Sequence, residues 1–305
     1  MTGIVAVIGP TAVGKTKLSV EIATECGGEI INADSRQIYR LMDIGTAKPT
    51  VEEREHATHH LLDIRDPHET YSLGSFLREA SDVINNNERD GILSILCGGS
   101  GQYVWGLLDG WNVPMTPPNE AFRHQKELEA ERHGNAALHQ QLSQIDPARA
   151  EAIDPRNLRR VIRALEIYHV TGLKPSQIPP RGTTSYSSLI IGLTMDRSTL
   201  YGRIDNRVDT MMAEGFLEEV AHLKSMGYVL GKGALASPGY TELGMHLDGS
   251  ITLEEAVQKT KYQTHRLARK QYAWFKPSDS RIQWLDAMDH NLLSNAMRLV
   301  KDSMS

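Results

Sequence analysis

Residues 3–16 read Gly3-Ile4-Val5-Ala6-Val7-Ile8-Gly9-Pro10-Thr11-Ala12-Val13-Gly14-Lys15-Thr16. The run up to Ile8 is apolar throughout, the pattern of a strand buried on both faces. The octet after it matches G-x-x-x-x-G-K-[ST], in which glycines let backbone N–H groups curl around an anion. A helix predicted over residues 15–24 would aim its N-terminus, worth about half a positive charge, at the same point. In that arrangement Gly9, Pro10, Thr11, Ala12, Val13, Gly14, Lys15 and Thr16 bind phosphates. Lys15 reaches the terminal phosphate and the Thr16 hydroxyl can ligate Mg²⁺. The alternative, a glycine turn with an incidental lysine, ignores the strand before it and the helix after it.

Working outward, residues 29–33 read as a second strand and 60–64 as a possible third. A helix capped by Ser72 is expected over 72–87, and another buried strand over 92–97. Strands alternating with helices predict an α/β fold: a P-loop NTPase-like, mostly parallel sheet flanked by helices. The rhythm changes after Gly110. Residues 113–118 form a proline-rich linker, and 119–171 are helical with no β-branched runs. A loop with three prolines follows over 172–188, then core strands at 189–193 and near 281–285. The expected organisation is a catalytic core of 1–112 and 189–305 with a helical insertion at 113–188.

The chain has 305 residues, 40% of them hydrophobic, with 33 Lys+Arg against 38 Asp+Glu for a net charge of -5. This excludes a disordered, collagen-like or coiled-coil chain. Two cysteines, Cys26 and Cys97, cannot build a disulfide framework, which points to a reducing, cytoplasmic setting. There is no basic leader before residue 4 and no apolar run of about 20 residues, so neither secretion nor a membrane span is expected. The acidic balance argues against nucleic acid bound over the whole surface, but not against local basic patches.

A hydrolytic P-loop protein places an Mg²⁺-binding aspartate at the end of a neighbouring strand. Here strand 92–97 runs into Gly98-Gly99 without a carboxylate, and Asp63 is a weaker candidate. A phosphate grip without that apparatus suits a kinase, or a transferase that expels diphosphate. Asp34, in Asn32-Ala33-Asp34-Ser35-Arg36-Gln37-Ile38-Tyr39, follows the second strand and so faces the ligand crevice of an open α/β sheet. It is placed for a proton or a metal, although its spacing also fits a helix N-cap. His56, His59 and His60 have metal-like spacing but no evident carboxylate shell. Two basic stretches stand out. Residues 156–163 hold Arg156, Arg159, Arg160 and Arg163, of which Arg156, Arg160 and Arg163 would share a helix face. Residues 259–276 hold six Lys/Arg and no acid, interleaved with Tyr262, Tyr272, Trp274 and Phe275. Such stretches fit phosphate contacts and stacking on unpaired bases, or else solvated helix faces.

Several motifs stand in order. They are the phosphate loop, Asp34-Ser35-Arg36-Gln37-Ile38-Tyr39, Met42-Asp43-Ile44-Gly45-Thr46-Ala47-Lys48-Pro49, His59-His60-Leu61-Leu62-Asp63 and Gly98-Gly99-Ser100-Gly101-Gln102-Tyr103. Further on come Arg160 to Glu166, Arg203-Ile204-Asp205-Asn206-Arg207 and Arg269-Lys270-Gln271-Tyr272-Ala273-Trp274-Phe275. Together they resemble the bacterial tRNA dimethylallyltransferase family, also called tRNA isopentenyltransferase, over nearly the whole chain.

That resemblance implies transfer of a dimethylallyl group from dimethylallyl diphosphate to the exocyclic amine of an adenosine. The adenosine lies just 3′ of the anticodon in tRNAs reading codons that begin with U. It implies Asp34 as proton acceptor, with Thr11, Lys15, Arg207 and Mg²⁺ on Thr16 stabilising the departing diphosphate. It also implies contacts from Asp34, Ser35, Arg36, Gln37, Ser100, Arg123, Arg159, Arg160, Arg163, Arg269, Lys270 and Gln271 to the anticodon stem-loop, with the target base extruded from its stack.

The sequence departs from the family at Ser100 (usually Thr), Gln102 (usually Leu) and Ser237-Pro238-Gly239-Tyr240-Thr241. There the family has an aliphatic residue before Gly-Tyr and a basic one after it. Three alternatives share parts of the pattern: an adenylate isopentenyltransferase using free AMP or ATP, a nucleotide-gated RNA-binding protein, and a small-metabolite kinase. The long insertion favours the tRNA enzyme over the first. No self-association motif is present, so a monomer is expected.

Overall fold

The computed structural model describes residues 2–114, 119–179, 181–182 and 186–304. Strands β1 (Thr2–Ile8), β2 (Glu29–Asn32), β3 (His59–His60), β4 (Ser94–Gly98), β5 (Tyr186–Thr194) and β6 (Ile282–Asp286) form one sheet in the order β3-β2-β4-β1-β5-β6. Every pairing is parallel. The central strands carry the uninterrupted apolar runs, as strands covered on both faces must: Ile4 through Ile8 are all at most 2% exposed. The helices are α1 (Lys15–Cys26), α2 (Val51–His56), α3 (Leu73–Asp90), α4 (Gly101–Leu108), α5 (Glu120–His133), α6 (Asn135–Ile145), α7 (Pro147–Glu151), α8 (Leu158–Thr171), α9 (Arg197–Ala213), α10 (Phe216–Ser225), α11 (Tyr240–Leu247), α12 (Leu253–Trp274) and α13 (Leu292–Met304).

Local chemistry sets the helix ends. Thr50 and Thr252 close capping boxes with Glu53 and Glu255, and the Ser72 hydroxyl accepts the Ser75 N–H. The possible strand at 60–64 stops after His60, because Leu61 and Asp63 take left-handed φ values of 60° and 54°. The stretch 172–188, read as loop, gives its last residues to the sheet: β5 begins at Tyr186, paired with Thr2. Part of the expected linker, 115–118, lies outside the described residues.

The chain divides into two compact units, Met1–Leu108 with Thr184–Ser305, and Asp109–Thr183. In the first, Val5, Val7, Leu18, Ile22, Ile191 and Leu193 pack between the sheet and its helices. A second cluster there, including Ile38, Met42, Phe216, Val220, Tyr240 and Leu243, backs the loops that follow β2. Among the described residues no helix is long and apolar enough to cross a membrane.

The second unit packs α5, α6, α7 and α8 around Leu138, Leu142, Val161 and Leu165. Inside it the fully buried Glu166 carboxylate accepts from the Asn119 N–H (2.7 Å), from Arg123 Nε and Nη2 (2.8 and 3.0 Å) and from Arg163 Nη1 (2.6 Å). Burial alone would raise its pKa; the hydrogen bonds and charges of the two arginines reverse this and hold it below the usual carboxylate range. The expected face of Arg156, Arg160 and Arg163 does not form. Asn157 caps α8 by accepting the Arg160 N–H, and Arg156 stays outside the helix, forked on Asp154 at 2.6 Å.

Removing Glu166 would leave two guanidiniums over an uncharged interior. Glu166→Ala is expected to destabilise this unit by about 3–5 kcal/mol in chemical denaturation. A depressed carboxyl pKa stabilises above the unfolded value, and that contribution is lost as pH falls through the folded one. The difference between wild type and variant should therefore be full at pH 7 and shrink only in acid.

Candidate active site

The phosphate loop joins β1 to α1 at the carboxyl edge of the sheet. Gly9 has φ 145°, and a Cβ there would lie 2.6 Å from Leu193 O, so only glycine fits. Gly14, at φ 108°, stands at the N-cap of α1. Lys15 is half-buried and donates to Pro10 O at 2.8 Å. Burial lowers its pKa, with Cys97 and Asp34 opposing the shift and Arg207 adding to it. The half-buried Thr16 hydroxyl has no partner among the described residues.

The loop is braced from far along the chain. Gln271 Oε1 accepts the Thr11 N–H at 2.7 Å, while its Nε2 donates to Gly99 O at 3.2 Å. A Cβ on Gly99 would sit 2.1 Å from that Nε2, so glycine makes room for the brace. Thr260, Thr264, Leu267 and Gln271 recur at helical spacing along one side of α12, where Thr260 and Gln271 are buried, Thr264 is half-buried and Leu267 is exposed. Lys259, Tyr262, Arg266, Arg269 and Lys270 are exposed on other faces. Gln271 itself is 5% exposed, with both ends of its amide engaged by protein loops. Its neighbours Arg269 and Lys270 point outward, with Arg269 Nη1 donating to the Tyr201 hydroxyl at 3.1 Å.

Asp34 leaves the end of β2 under tight control. Asn32 Oδ1 accepts the Asp34 N–H (3.1 Å), and Asn32 Nδ2 donates to Leu61 O (3.1 Å) and Asp34 O (3.2 Å). Asp34 Oδ1 accepts the Arg36 N–H at 2.9 Å within a turn. No α-helix starts there, so Asp34 is not a helix N-cap. The Ser100 hydroxyl accepts the Ser35 N–H at 2.9 Å, and Gly98 packs so closely on Ala33 that a Cβ would lie 2.2 Å from its carbonyl oxygen. Gln37 Nε2 donates to Thr46 O (3.0 Å) and Ala47 O (2.9 Å), and Arg36 Nη1 donates to Gly233 O at 3.2 Å.

Glu219 on α10, which sequence reasoning missed, accepts the N–H groups of Asp43 (2.9 Å), Ile44 (2.8 Å) and Gly45 (3.1 Å) together with the Tyr240 hydroxyl (2.7 Å). The buried Lys48 ammonium donates to Tyr39 O and pairs with Asp43 and Asp63. Burial alone would raise the Asp63 pKa, but Lys48 and Arg54 outweigh it and lower it. Asp63 is thus engaged by two cations and is not a free metal ligand. His60 pairs with Glu29 at 2.7 Å and His59 Nδ1 meets Ala57 O, while the described residues hold no cluster of three metal-ligating side chains. The histidine-metal reading has no ligand set.

Arg207 on α9 completes the site. It is half-buried and has no hydrogen bond or ion pair among the described residues; burial lowers its pKa, and Arg203 adds to this. It lines a pocket with Thr11, Ala12, Asp34 and Arg36 on the polar side and Ile204, Val208, Met211, Phe216, Pro238 and Leu267 on the apolar side. In the helical unit Arg159 and Arg160 are exposed without side-chain partners, whereas Arg123 and Arg163 are spent on Glu166.

Fold and site define a P-loop protein whose crevice joins an anion grip to one carboxylate and an apolar pocket. The IPP transferase family profile matches residues 37–278. A tRNA dimethylallyltransferase of Thermomicrobium roseum is 46% identical over 93% of this chain and 86% of its own length. One from Roseiflexus castenholzii is 43% identical over 99% of each. The crystal structure of the full-length tRNA isopentenylpyrophosphate transferase from Bacillus halodurans superposes with a TM-score of 0.73 at 39% identity, covering 100% of this chain and 98% of that one. A eukaryotic dimethylallyltransferase described as acting on tRNA gives a TM-score of 0.84 at 27% identity, covering 100% and 80%. This chain belongs to the IPP transferase family.

Replacing the brace with an apolar isostere, Gln271→Leu, orphans the Thr11 N–H and the Gly99 carbonyl. A loss of about 1–3 kcal/mol in stability is expected. Amide hydrogen exchange across residues 9–14 should quicken selectively, while exchange in β1 stays slow.

Proposed function

We propose that this chain transfers a dimethylallyl group from dimethylallyl diphosphate to the N6 amine of the adenosine 3′-adjacent to the anticodon in tRNAs reading U-starting codons, releasing diphosphate. The observation that carries this reading is the shared pocket of Asp34, the phosphate loop, the unpaired Arg207 and an apolar wall. Each part has one task. The loop N–H groups, Thr11, Lys15 and Arg207 hold the diphosphate, and the apolar side takes the five-carbon chain. Asp34 faces the nucleophile.

Adenine N6 is a poor nucleophile because its lone pair is delocalised into the ring. As it attacks the allylic carbon, the C–O bond to diphosphate breaks and its electron pair leaves with the phosphate oxygens. The N6 proton becomes acidic only as the C–N bond forms, so a carboxylate, ordinarily a weak base, suffices to accept it. Lys15 and Arg207, partly desolvated, stabilise charge developing on the leaving group more than solvated cations would.

Magnesium fits the chemistry of the donors: the unpartnered Thr16 hydroxyl and diphosphate oxygens are hard ligands of the kind Mg²⁺ takes alongside its waters. Bound there, it would supply further neutralisation of the diphosphate.

Anticodon stem-loop contacts are assigned to Ser35, Arg36, Gln37, Ser100, Arg123, Arg159, Arg160, Arg163, Arg269 and Lys270. Among these the exposed Arg159, Arg160 and Lys270 are best suited to phosphates. The similarity to tRNA dimethylallyltransferases favours tRNA over free AMP as acceptor. The proposed working form is a cytoplasmic monomer.

The test offers labelled dimethylallyl diphosphate with unmodified tRNA or with AMP. Label is expected in tRNA alone, and Asp34→Asn should slow single-turnover transfer by about 10²–10⁴ while tRNA affinity is retained. Label in AMP, or an unimpaired Asp34→Asn enzyme, would overturn the reading.

A further inference from the structure

One aromatic ring belongs to the apolar lining of the pocket. Phe216 is the first residue of α10 and is 1% exposed. A Cβ on Gly45 would lie 2.1 Å from its Cε2, and one on Gly239 2.4 Å from its Cε1, so the tip of the ring is held between two backbone segments. Tyr240 meets it edge-on, with centroids 5.1 Å apart. Glu219 fixes both neighbours, accepting the Gly45 N–H at 3.1 Å and the Tyr240 hydroxyl at 2.7 Å. A ring packed this closely cannot swing aside without moving backbone.

We propose that Phe216 sets the length of prenyl group the enzyme accepts, admitting a five-carbon allylic chain and stopping a ten-carbon one. This rests on the function proposed above. Thr11 and Arg207 anchor the diphosphate and Asp34 marks the attacked carbon, so a longer chain needs room against the apolar lining, in which Phe216 is the bulkiest side chain and is clamped between backbone segments. Chain length leaves the bond changes untouched. The C–O bond breaks onto diphosphate, the C–N6 bond forms and the N6 proton goes to Asp34. Discrimination is therefore steric.

The experiment measures kcat/KM for dimethylallyl and geranyl diphosphate with unmodified tRNA, identifying the transferred group by mass spectrometry of the nucleosides. Wild type, Phe216→Leu and Phe216→Ala are compared, with thermal melts to confirm folding. Wild type is expected to prefer the five-carbon donor by about a hundredfold. Phe216→Ala should raise the geranyl-to-dimethylallyl ratio by about tenfold or more, and Phe216→Leu by a smaller factor. The ratio cancels any loss of folded protein, and Phe216→Leu decides if Phe216→Ala does not fold. A wild type that uses both donors equally overturns the inference, as does an unchanged ratio in Phe216→Leu with dimethylallyl transfer intact. In both cases the proposed function stands. A wild type that transfers neither group sinks the function, and this inference with it.

Discussion

The side-chain amide of Gln271 joins the Thr11 N–H of the phosphate loop to the Gly99 carbonyl after β4. A phosphate loop is an awkward object, because it must keep several N–H groups aimed inward and unpaired with one another. Such a loop cannot hold its own shape by internal hydrogen bonds, so something outside it must. Gln271 does this from within the protein, with both ends of its amide satisfied, an arrangement whose loss costs more than the bond itself contributes. It also fixes α12 relative to the loop, and with it the Thr260, Thr264 and Leu267 side of the pocket.

The same economy recurs around the pocket. Asn32 holds the backbone of Asp34, Gln37 holds the carbonyls of Thr46 and Ala47, and Glu219 gathers three successive N–H groups of the loop at Gly45. These polar side chains are spent on backbone. Among the described residues the groups left without full partners are the chemical ones: Asp34 keeps one carboxylate oxygen unbonded, and Arg207 forms no ion pair. Desolvating Lys15 and Arg207 without a carboxylate pair is costly, and a bound diphosphate offsets that cost through charge-assisted hydrogen bonds. Stability is sacrificed at the positions where binding will use it.

Much of this was legible in the sequence because it is local. The loop at 9–16, the apolar strands and the cap at Ser72 depend on residues a few positions apart, and local pattern reports them. The brace was not legible, since Gln271 and Thr11 are 260 positions apart and a glutamine on a basic helix reads as solvent-facing. Only the spacing Thr260, Thr264, Leu267, Gln271 on one face hinted otherwise. Glu219, some 175 positions from the N–H groups it gathers, was hidden for the same reason. The strand read at 60–64 is present but short, because Leu61 already turns to a left-handed φ that the apolar pattern does not announce. Charge followed a similar course: a chain of net charge -5 keeps exposed arginines and lysines on particular helix faces, and composition averages them away.

The central claim is that one crevice holds the allylic diphosphate and the target adenosine together, with Asp34 between them. The most direct measurement is an experimental structure of the protein with an unreactive thiolo analogue of dimethylallyl diphosphate and an anticodon stem-loop. The account predicts the diphosphate on the loop at 9–16 with Arg207 against it. It also predicts an extruded adenine whose N6 lies about 2.6–3.2 Å from an Asp34 carboxylate oxygen. An adenine bound elsewhere, or a diphosphate seated away from Lys15 and Arg207, would contradict it.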